Sequence, residues 1–247
     1  MVFKRIIPCL LLQNESLVKT TRFKNPIYIG DSINTVRIFN ELEVDELIIF
    51  DIKATINGFE PNYELIKDIA SECFMPLAYG GGISTVEQAK KIIQMGFEKI
   101  TINSSSYQNK HLITQIADEL GNQCVVAAID VKKNIFGNYI CYSNSGKQKE
   151  KQDPFEWAKE LESIGAGELM ITSINQEGTW NGFDLKLVEK MTKQVDIPII
   201  AHGGAGVSNH IEEVFELNVN AAAIGNMVVY QKKGMGVLVN TNNIKIL

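Results

Sequence analysis

The sequence lacks a CxxC pair; its four cysteines, Cys9, Cys73, Cys124 and Cys141, are scattered along 247 residues. Cys9 and Cys124 fall inside apolar runs and read as reduced, buried thiols, which fits a reducing cytoplasm. Histidine is scarce too. His111, His202 and His210 have no ligand-like partners nearby in the sequence, so neither a metal nor a cofactor is expected. No apolar run approaches the roughly 18 residues of a membrane span, and the start, Met1-Val-Phe-Lys-Arg-Ile-Ile-Pro8, reads as a strand that begins at once, with no signal peptide visible. There is no excess of positive charge. The net charge of −5 argues against nucleic acid as the main partner. A Pro/Gly/Ser-rich linker is also missing from the middle, so residues 1–247 are expected to form one domain, a length common for single barrels.

What is present is a repeat. Pro76-Leu-Ala-Tyr-Gly-Gly-Gly-Ile-Ser-Thr85 and Pro198-Ile-Ile-Ala-His-Gly-Gly-Ala-Gly-Val-Ser208 are both short apolar strands running into Gly-Gly and then a helical pattern. Gly81 and Gly203 lie 122 positions apart (203 − 81). The same offset relates Glu46-Leu-Ile-Ile-Phe-Asp-Ile52 to Glu168-Leu-Met-Ile-Thr-Ser-Ile174, and Lys99-Ile-Thr-Ile-Asn103 to Ala221-Ala-Ala-Ile-Gly225. One half-domain is written twice.

Apolar strands are expected at about 4–10, 46–51, 75–79, 99–103, 124–130, 168–173, 198–202 and 221–225, alternating with amphipathic segments. In one of these, Val36, Ile38 and Phe39 stand at helical spacing; Val86–Ile93 and Pro154–Leu161 behave alike. Runs such as Leu47-Ile-Ile-Phe50 are apolar on both faces, as parallel strands covered on both sides must be. The expected fold is a (β/α)₈ barrel of two similar half-barrels, with an open doubly wound sheet as the runner-up.

In such barrels chemistry sits at the C-terminal strand ends. Paired glycines there let backbone N–H groups approach a phosphate. Gly81 and Gly82 beside Asn103 and Ser104 form one candidate cradle; Gly203 and Gly204 beside Gly225 and Asn226 form the other. Two opposed cradles imply a long ligand with a phosphate at each end. The competing reading is that strand-to-helix turns often need glycine for positive φ. Asp130 closes Cys124-Val-Val-Ala-Ala-Ile-Asp130 and would point into the mouth as a general acid or base; a helix cap or a salt bridge to Lys132 or Lys133 is the alternative. Strand 1 ends Cys9-Leu-Leu-Leu12 and carries no carboxylate, the nearest other titratable groups being Asp51, Glu177 and Lys19. At the opposite strand ends, Arg5, Glu46, Lys99 and Glu168 could close a neutral ring across the floor, or could simply be solvated. The long segment Gln13–Asp31, with Lys19, Arg22 and Lys24, reads either as a lid or as a mobile solvated loop.

These residues together resemble the cyclase subunit of imidazole glycerol phosphate synthase, along nearly the whole chain. The strongest pieces are Lys4-Arg-Ile-Ile-Pro-Cys-Leu10, Tyr79-Gly-Gly-Gly-Ile83, Lys99-Ile-Thr-Ile-Asn103, Leu112-Ile-Thr-Gln-Ile-Ala117, Ala128-Ile-Asp130, Gly165-Ala-Gly-Glu168, Thr172-Ser-Ile174 and Gly203-Gly-Ala-Gly206. The related isomerase of the same pathway matches these strings less well. The resemblance implies a (β/α)₈ barrel that binds a bis-phosphorylated ribulosyl carboxamide nucleotide at both cradles. It implies a glutaminase subunit docked on the barrel floor, with Arg5, Glu46, Lys99 and Glu168 as the gate for its ammonia. It gives Lys19 a role in productive closure and Asp130 that of one of two catalytic aspartates.

The departures bear on the same site. Leu11 stands where the family has its other catalytic aspartate, and His202 where it usually has a small hydroxyl residue. Glu177 takes the place of an aspartate within Asn175-Gln176-Glu177, the stretch Arg22–Gly30 is unusual, and Met227–Leu247 lacks a strong final helix pattern. This combination is similar to the divergent second-copy branch associated with surface-polysaccharide gene sets. That branch implies an alternative role, an ammonia conduit serving a sugar amidotransferase. Efficient cyclisation with Leu11 would need Glu177, His202 or Lys19 to substitute. A sugar-phosphate isomerase would need the carboxylate that strand 1 lacks.

Overall fold

Alternation decides the architecture: each apolar run is short, and each is followed by a segment with a single apolar stripe. The computed structural model describes residues 4–241. In chain order the strands are β1 (Arg5–Gln13), β2 (Ser16–Thr21), β3 (Lys24–Asp31), β4 (Leu47–Asp51), β5 (Leu77–Gly80), β6 (Lys99–Ile102), β7 (Val125–Lys133), β8 (Tyr139–Ser143), β9 (Gln148–Lys149), β10 (Glu168–Ser173), β11 (Ile199–His202) and β12 (Ala221–Ile224). The helices are α1 (Ser32–Glu41), α2 (Ala54–Asn57), α3 (Tyr63–Ser71), α4 (Val86–Gln94), α5 (Ser104–Gln108), α6 (His111–Leu120), α7 (Pro154–Ser163), α8 (Leu185–Thr192), α9 (Ser208–Phe215) and α10 (Asn226–Val229).

Eight strands pair in parallel in the order β1-β4-β5-β6-β7-β10-β11-β12, and β12 returns to β1, with Arg5 opposite Ala221 and Pro8 opposite Ile224. The sheet is a closed (β/α)₈ barrel, and the open doubly wound alternative falls. Outward side chains such as Leu10, Leu47 and Leu169 pack under the helix stripes. Inward ones, among them Ile7, Cys9, Ile48, Met170 and Ile200, form a separate inner cluster. A fully buried aliphatic or aromatic side chain contributes on the order of 1.5–3 kcal/mol, so both layers are needed to hold the ring of strands.

Local chemistry starts the helices where the pattern requires. Thr85 and Gln88 form a reciprocal capping box at α4, and the Asp153 carboxylate accepts from two amides of α7, whose first residue is Pro154. On α1 the buried stripe is Thr35, Val36 and Phe39, while Ile38 lies on the exposed face, since 36 and 39 are one turn apart and 38 is not. Cys124 lies in a 3₁₀ turn (Asn122–Cys124) before β7 rather than inside the strand, and is half-buried with its thiol donating to the Leu120 carbonyl. Residues 1–3, which open the strand-like run Met1–Pro8, and the last six of the C-terminal segment lie outside the described residues. Within them that segment opens with α10.

Gln13–Asp31 is not an irregular loop. It completes an antiparallel hairpin, β2 against β3, and β2 pairs back onto β1 with Leu11 opposite Val18. The second half makes the matching excursion, β8 returning antiparallel onto β7.

The glycine turns are held by close backbone approach. Gly81 (φ +120°) and Gly204 (φ +111°) sit so that an added Cβ would lie 2.3 Å from the Asp51 carbonyl oxygen and 2.0 Å from that of Gly182. Gly204→Ala is therefore expected to lose on the order of 1–3 kcal/mol of stability, visible as a lower urea midpoint; an unchanged midpoint would contradict this packing.

Candidate active site

The strand pleat sorts inward residues by height. On the floor, Arg5 bridges Glu46 and Glu168, each at 2.5 Å, and Lys99 bridges the same two carboxylates at 3.1 and 2.9 Å. The four charges close a neutral ring. Burial alone would lower the Arg5 pKa, but Glu168 and Glu46 outweigh it and hold the guanidinium above its ordinary value. Glu46 and Glu168 are buried, so the pairing stops two carboxylates from standing uncompensated in the protein.

At the mouth Asp130 forms neither a helix cap nor a salt bridge to its neighbours; Lys133 pairs instead with Asp184. Asn103 donates to Asp130 Oδ2 at 2.9 Å, and Thr172 stands beside Asp130 in register on β10. Burial pushes the Asp130 carboxyl up to about 7; the polar neighbours Thr172 and Asn103 oppose that rise and the nearby Glu177 charge adds to it. It is poised to gain or lose a proton near neutrality.

Leu11 is the counterpart of Asp130 by pairing register. Ile6 lies opposite Ala222, and Val125 opposite Ile100, the residue 122 positions before Ala222. The offset between β1 and β7 is therefore 119 (125 − 6), which carries Leu11 onto Asp130. The mouth holds a carboxylate on one side of the pseudo-twofold and an isobutyl group on the other.

The hairpin closes over this mouth. Its two-residue turn, Arg22-Phe23, has φ of +55° and +60°, a left-handed conformation that costs roughly 1–2 kcal/mol per residue. Glu177 offsets it: Oε1 accepts from Thr20 Oγ1 and Oε2 from the Phe23 amide, both at 2.8 Å, and the Glu177 carbonyl accepts from the Arg22 amide at 2.9 Å. Phe23 is thereby held against both cavities of the mouth. Lys19, expected on a lid or a mobile solvated loop, is buried in β2 with its ammonium on the Cys9 carbonyl. Burial lowers its pKa, against the raising effect of Cys9 and Glu177.

The two cradles differ in room. Gly81, Gly82, Asn103 and Ser104 line a cavity of about 130 Å³, together with Leu11, Asp130, Thr172 and His202. Gly203, Gly204, Gly225 and Asn226 line one of about 30 Å³, into which Lys19 reaches; its Nζ lies 2.7 Å from where a Gly225 Cβ would be. Several cradle groups already have partners. The Gly82 amide donates to Thr55 Oγ1 at 3.1 Å, Ser104 Oγ accepts from the Asn144 amide at 2.9 Å, and Asn226 Nδ2 donates to the Gly178 carbonyl at 3.1 Å. Asp51 caps the turn into α2 through the Lys53 and Ala54 amides. Among the described residues no group of three or more His, Cys, Asp or Glu could hold a metal ion, and no helix is long and apolar enough to cross a membrane.

The model of the family described as histidine biosynthesis protein matches residues 5–234. A Pseudomonas aeruginosa protein with the provisional name imidazole glycerol phosphate synthase subunit hisF2 is 47% identical, over all of this chain and 99% of its own length. A Vibrio vulnificus relative provisionally named subunit hisF3 is 43% identical, over 97% of this chain and 93% of its own. The chain belongs to the imidazole glycerol phosphate synthase cyclase-subunit family. Streptococcus sanguinis has a relative named as subunit HisF of that synthase, 40% identical over 91% of this chain and 89% of its own.

Within this cyclase-family barrel, Asp130, Asn103 and the first glycine pair meet in one cavity, and Lys19, Glu177 and the second pair meet in the other. Thr172, part of the matching string Thr172-Ser-Ile174, carries no role in the sequence reading, although a signal for one exists. Counting alternate residues inward from Glu168 passes Met170 and reaches Thr172 at the mouth, as counting from Lys99 reaches Asn103.

A folded-state pKa of about 7 against 3.8 for an ordinary Asp means that the folded chain holds the Asp130 proton more tightly than the unfolded one. Its contribution to stability is full below the unfolded value and is lost as pH rises through about 7. Asp130→Asn is expected to remove that decline, so the variant gains on wild type between buffer below the ordinary Asp value and mildly alkaline buffer, by on the order of 4 kcal/mol. Parallel urea titrations at the two pH values check it; equal wild-type and variant slopes would contradict the burial argument.

Proposed function

We propose that the chain is a synthase subunit that receives ammonia from a glutaminase docked on the barrel floor and uses it at the mouth on a bis-phosphorylated substrate. The observation that carries the reading is Asp130: a carboxyl poised near neutrality, in a cavity with the first glycine cradle and adjoining the second. The floor ring of Arg5, Glu46, Lys99 and Glu168 is the gate in this reading. Breaking Lys99 away from its carboxylates would open the axis toward an inner wall that is apolar. Neutral ammonia enters such a wall at little cost, whereas ammonium pays heavily for desolvation. The phosphates are taken by backbone amides and small polar groups around Gly81, Gly82, Asn103 and Ser104, and around Gly203, Gly204, Gly225 and Asn226. Asp130 moves the protons, Lys19 supplies positive charge beside the second cradle, and Glu177 keeps the hairpin down.

A second reading is favoured by Leu11. With no carboxylate opposite Asp130, the barrel acts as a conduit that stimulates its glutaminase and passes ammonia to an amidotransferase acting on a surface-polysaccharide sugar. The narrow second cavity, already holding the Lys19 ammonium, supports this reading over one that needs two occupied cradles.

The deciding assay mixes the chain with its glutaminase and the ribulosyl carboxamide nucleotide and follows imidazole formation. Turnover comparable with a standard synthase supports the first reading and removes the second. Stimulated glutamine hydrolysis without imidazole product does the reverse. Loss of an acid–base partner costs roughly 10²–10⁴ in rate, so Leu11→Asp is expected to raise cyclase turnover if the rest of the site is intact. Lys99→Ala is expected to uncouple glutamine hydrolysis from product; unchanged coupling would remove the gate.

A further inference from the structure

The two antiparallel excursions that flank the mouth carry side chains that the barrel itself does not use. In the second half, the turn between β7 and β8 presents Ile135 and Phe136, 94% and 81% exposed. The turn is built to hold them there. Asn134 Oδ1 accepts from the Phe136 and Asn138 amides at 2.9 and 3.0 Å, and the Asn134 amide donates to the Asn138 carbonyl at 2.9 Å. Residues 132–151 of the same excursion hold five lysines and one glutamate, and that glutamate, Glu150, accepts from Ser143 Oγ. The stretch is net +4 (5 − 1) in a chain of net −5. In the first half, β3 presents Ile27 and Tyr28, 62% and 65% exposed, on a strand that among the described residues pairs with β2 alone. The exposed cations Arg22 and Lys24 precede them.

Both excursions reach the cavity. The Asn144 amide donates to Ser104 Oγ at 2.9 Å, and Ser145, which lines the larger cavity, donates its hydroxyl to the Ile52 carbonyl at 3.1 Å. Gly146 lies against Phe23, an added Cβ falling 2.9 Å from that ring. The hairpins therefore meet over the mouth, while Ile135, Phe136, Ile27 and Tyr28 line neither cavity. A small phosphorylated ligand has no use for apolar groups placed outside its pocket. Apolar anchors within a charged rim are instead the composition of a protein interface.

Charge and chemistry select the occupant. A second copy of this chain would bring the same positive face and be repelled. In the conduit reading the glutaminase takes the floor and ammonia emerges at the mouth. Ammonia set free in water near neutrality takes up a proton and ceases to be a nucleophile, so the enzyme that consumes it has to sit on the opening. We propose that the two hairpins are the docking surface for that enzyme, an amidotransferase that presents an acidic rim around an apolar cleft. The assignment rests on the conduit reading given above. Ile135 and Phe136 seat in the cleft, and the lysines steer the approach. The contacts of Asn144 and Ser145 put the docked enzyme over the larger cavity.

The test uses the full chain with its glutaminase and, as probe, the sugar amidotransferase of the same organism. Biolayer interferometry is expected to show the amidotransferase bound to wild type, and bound roughly 10–100-fold more weakly by the double variant Ile135→Asp, Phe136→Asp. The pair Lys147→Glu, Lys149→Glu is expected to slow association and to flatten its salt dependence. In both variants glutamine-driven amidation should fall with binding. Amidation supported by ammonium salts, and the stimulation of glutamine hydrolysis, should stay at wild-type level, because neither the acceptor's own site nor the floor is touched. A tip variant that binds as wild type does, or a wild type that binds no amidotransferase, overturns the proposal. So does sedimentation of wild type, and not of the tip variant, with phosphatidylglycerol vesicles, which assigns the face to lipid. Self-association that the tip variant abolishes assigns it to a second copy and overturns the proposal equally. Binding lost at the tip, with no glutamine-driven amidation even in wild type, counts against the conduit reading alone and leaves the docking surface standing.

Discussion

Closure of the strand ring is the constraint from which the other features follow. Once β12 pairs with β1, every inward side chain has a fixed height and a fixed set of neighbours, because a one-residue slip would turn each strand inside out. Charge can then be confined to two levels. The floor carries four charges that cancel, the mouth carries Asp130 and Lys19, and the wall between them is made of groups such as Ile7, Ile48 and Met170. The hairpin β2–β3 depends on the same closure, since its clasp, Glu177, comes from the far side of the barrel after β10.

The repeat is symmetric in backbone and asymmetric in chemistry. Glu46 and Glu168 are related by the 122-residue offset, yet their cations are not: the counterpart of Lys99 is Ala221, and Arg5 corresponds by register to Cys124. Each cation nevertheless bridges both acids, so the ring is complete with one base from each of two unrelated positions. The mouth follows the same logic. Asp130 and Leu11 occupy equivalent places, and the Asp130 side has polar neighbours, Asn103 and Thr172, where Leu11 has Val18 and Phe50 in register. A duplicated scaffold thus carries a carboxylate on one side and an apolar group on the other within the same fold.

The strand set was legible because buried parallel strands leave an unmistakable signal, short runs apolar on both faces at a constant spacing. The floor ring was legible as a set of residues but not as a closed circuit, since spacing along the chain says nothing about which carboxylate a lysine reaches. The hairpin was missed. Its turn residues, Arg22 and Phe23, carry none of the glycine or asparagine that usually marks a left-handed turn, and the conformation is imposed from outside by Glu177. The glycine turns were read as phosphate cradles with turn geometry as the rival account. Both descriptions hold for the same atoms: Gly81 and Gly204 are required by the Asp51 and Gly182 carbonyls regardless of any ligand. Glycine identity alone therefore cannot argue for phosphate, and the case for it rests on the cavities those turns line.

The proposed passage of ammonia has a physical form that the inner wall makes specific. The barrel interior is filled, as packed barrels of this kind are, so there is no standing pore to leak protons or water between floor and mouth. What fills it is accommodating in two ways. Ala78, Ala128, Ala221 and Ala223 contribute only methyl groups, and the longest members, Met170 and Ile200, are side chains without charge or strong hydrogen-bonding groups. Cys9, buried among them, has its thiol pushed up to about 12 by desolvation, so it stays neutral and offers no anion on which an ammonium ion could lodge. A small neutral base can move through such a wall by displacing side chains briefly, and it regains a polar environment toward the mouth, where Thr101, Asn103, Asp130, Thr172 and His202 line the larger cavity. In the proposed reading, selection against ammonium is thus made by the wall's desolvation cost, and the charged ring at the floor has only to open, not to discriminate.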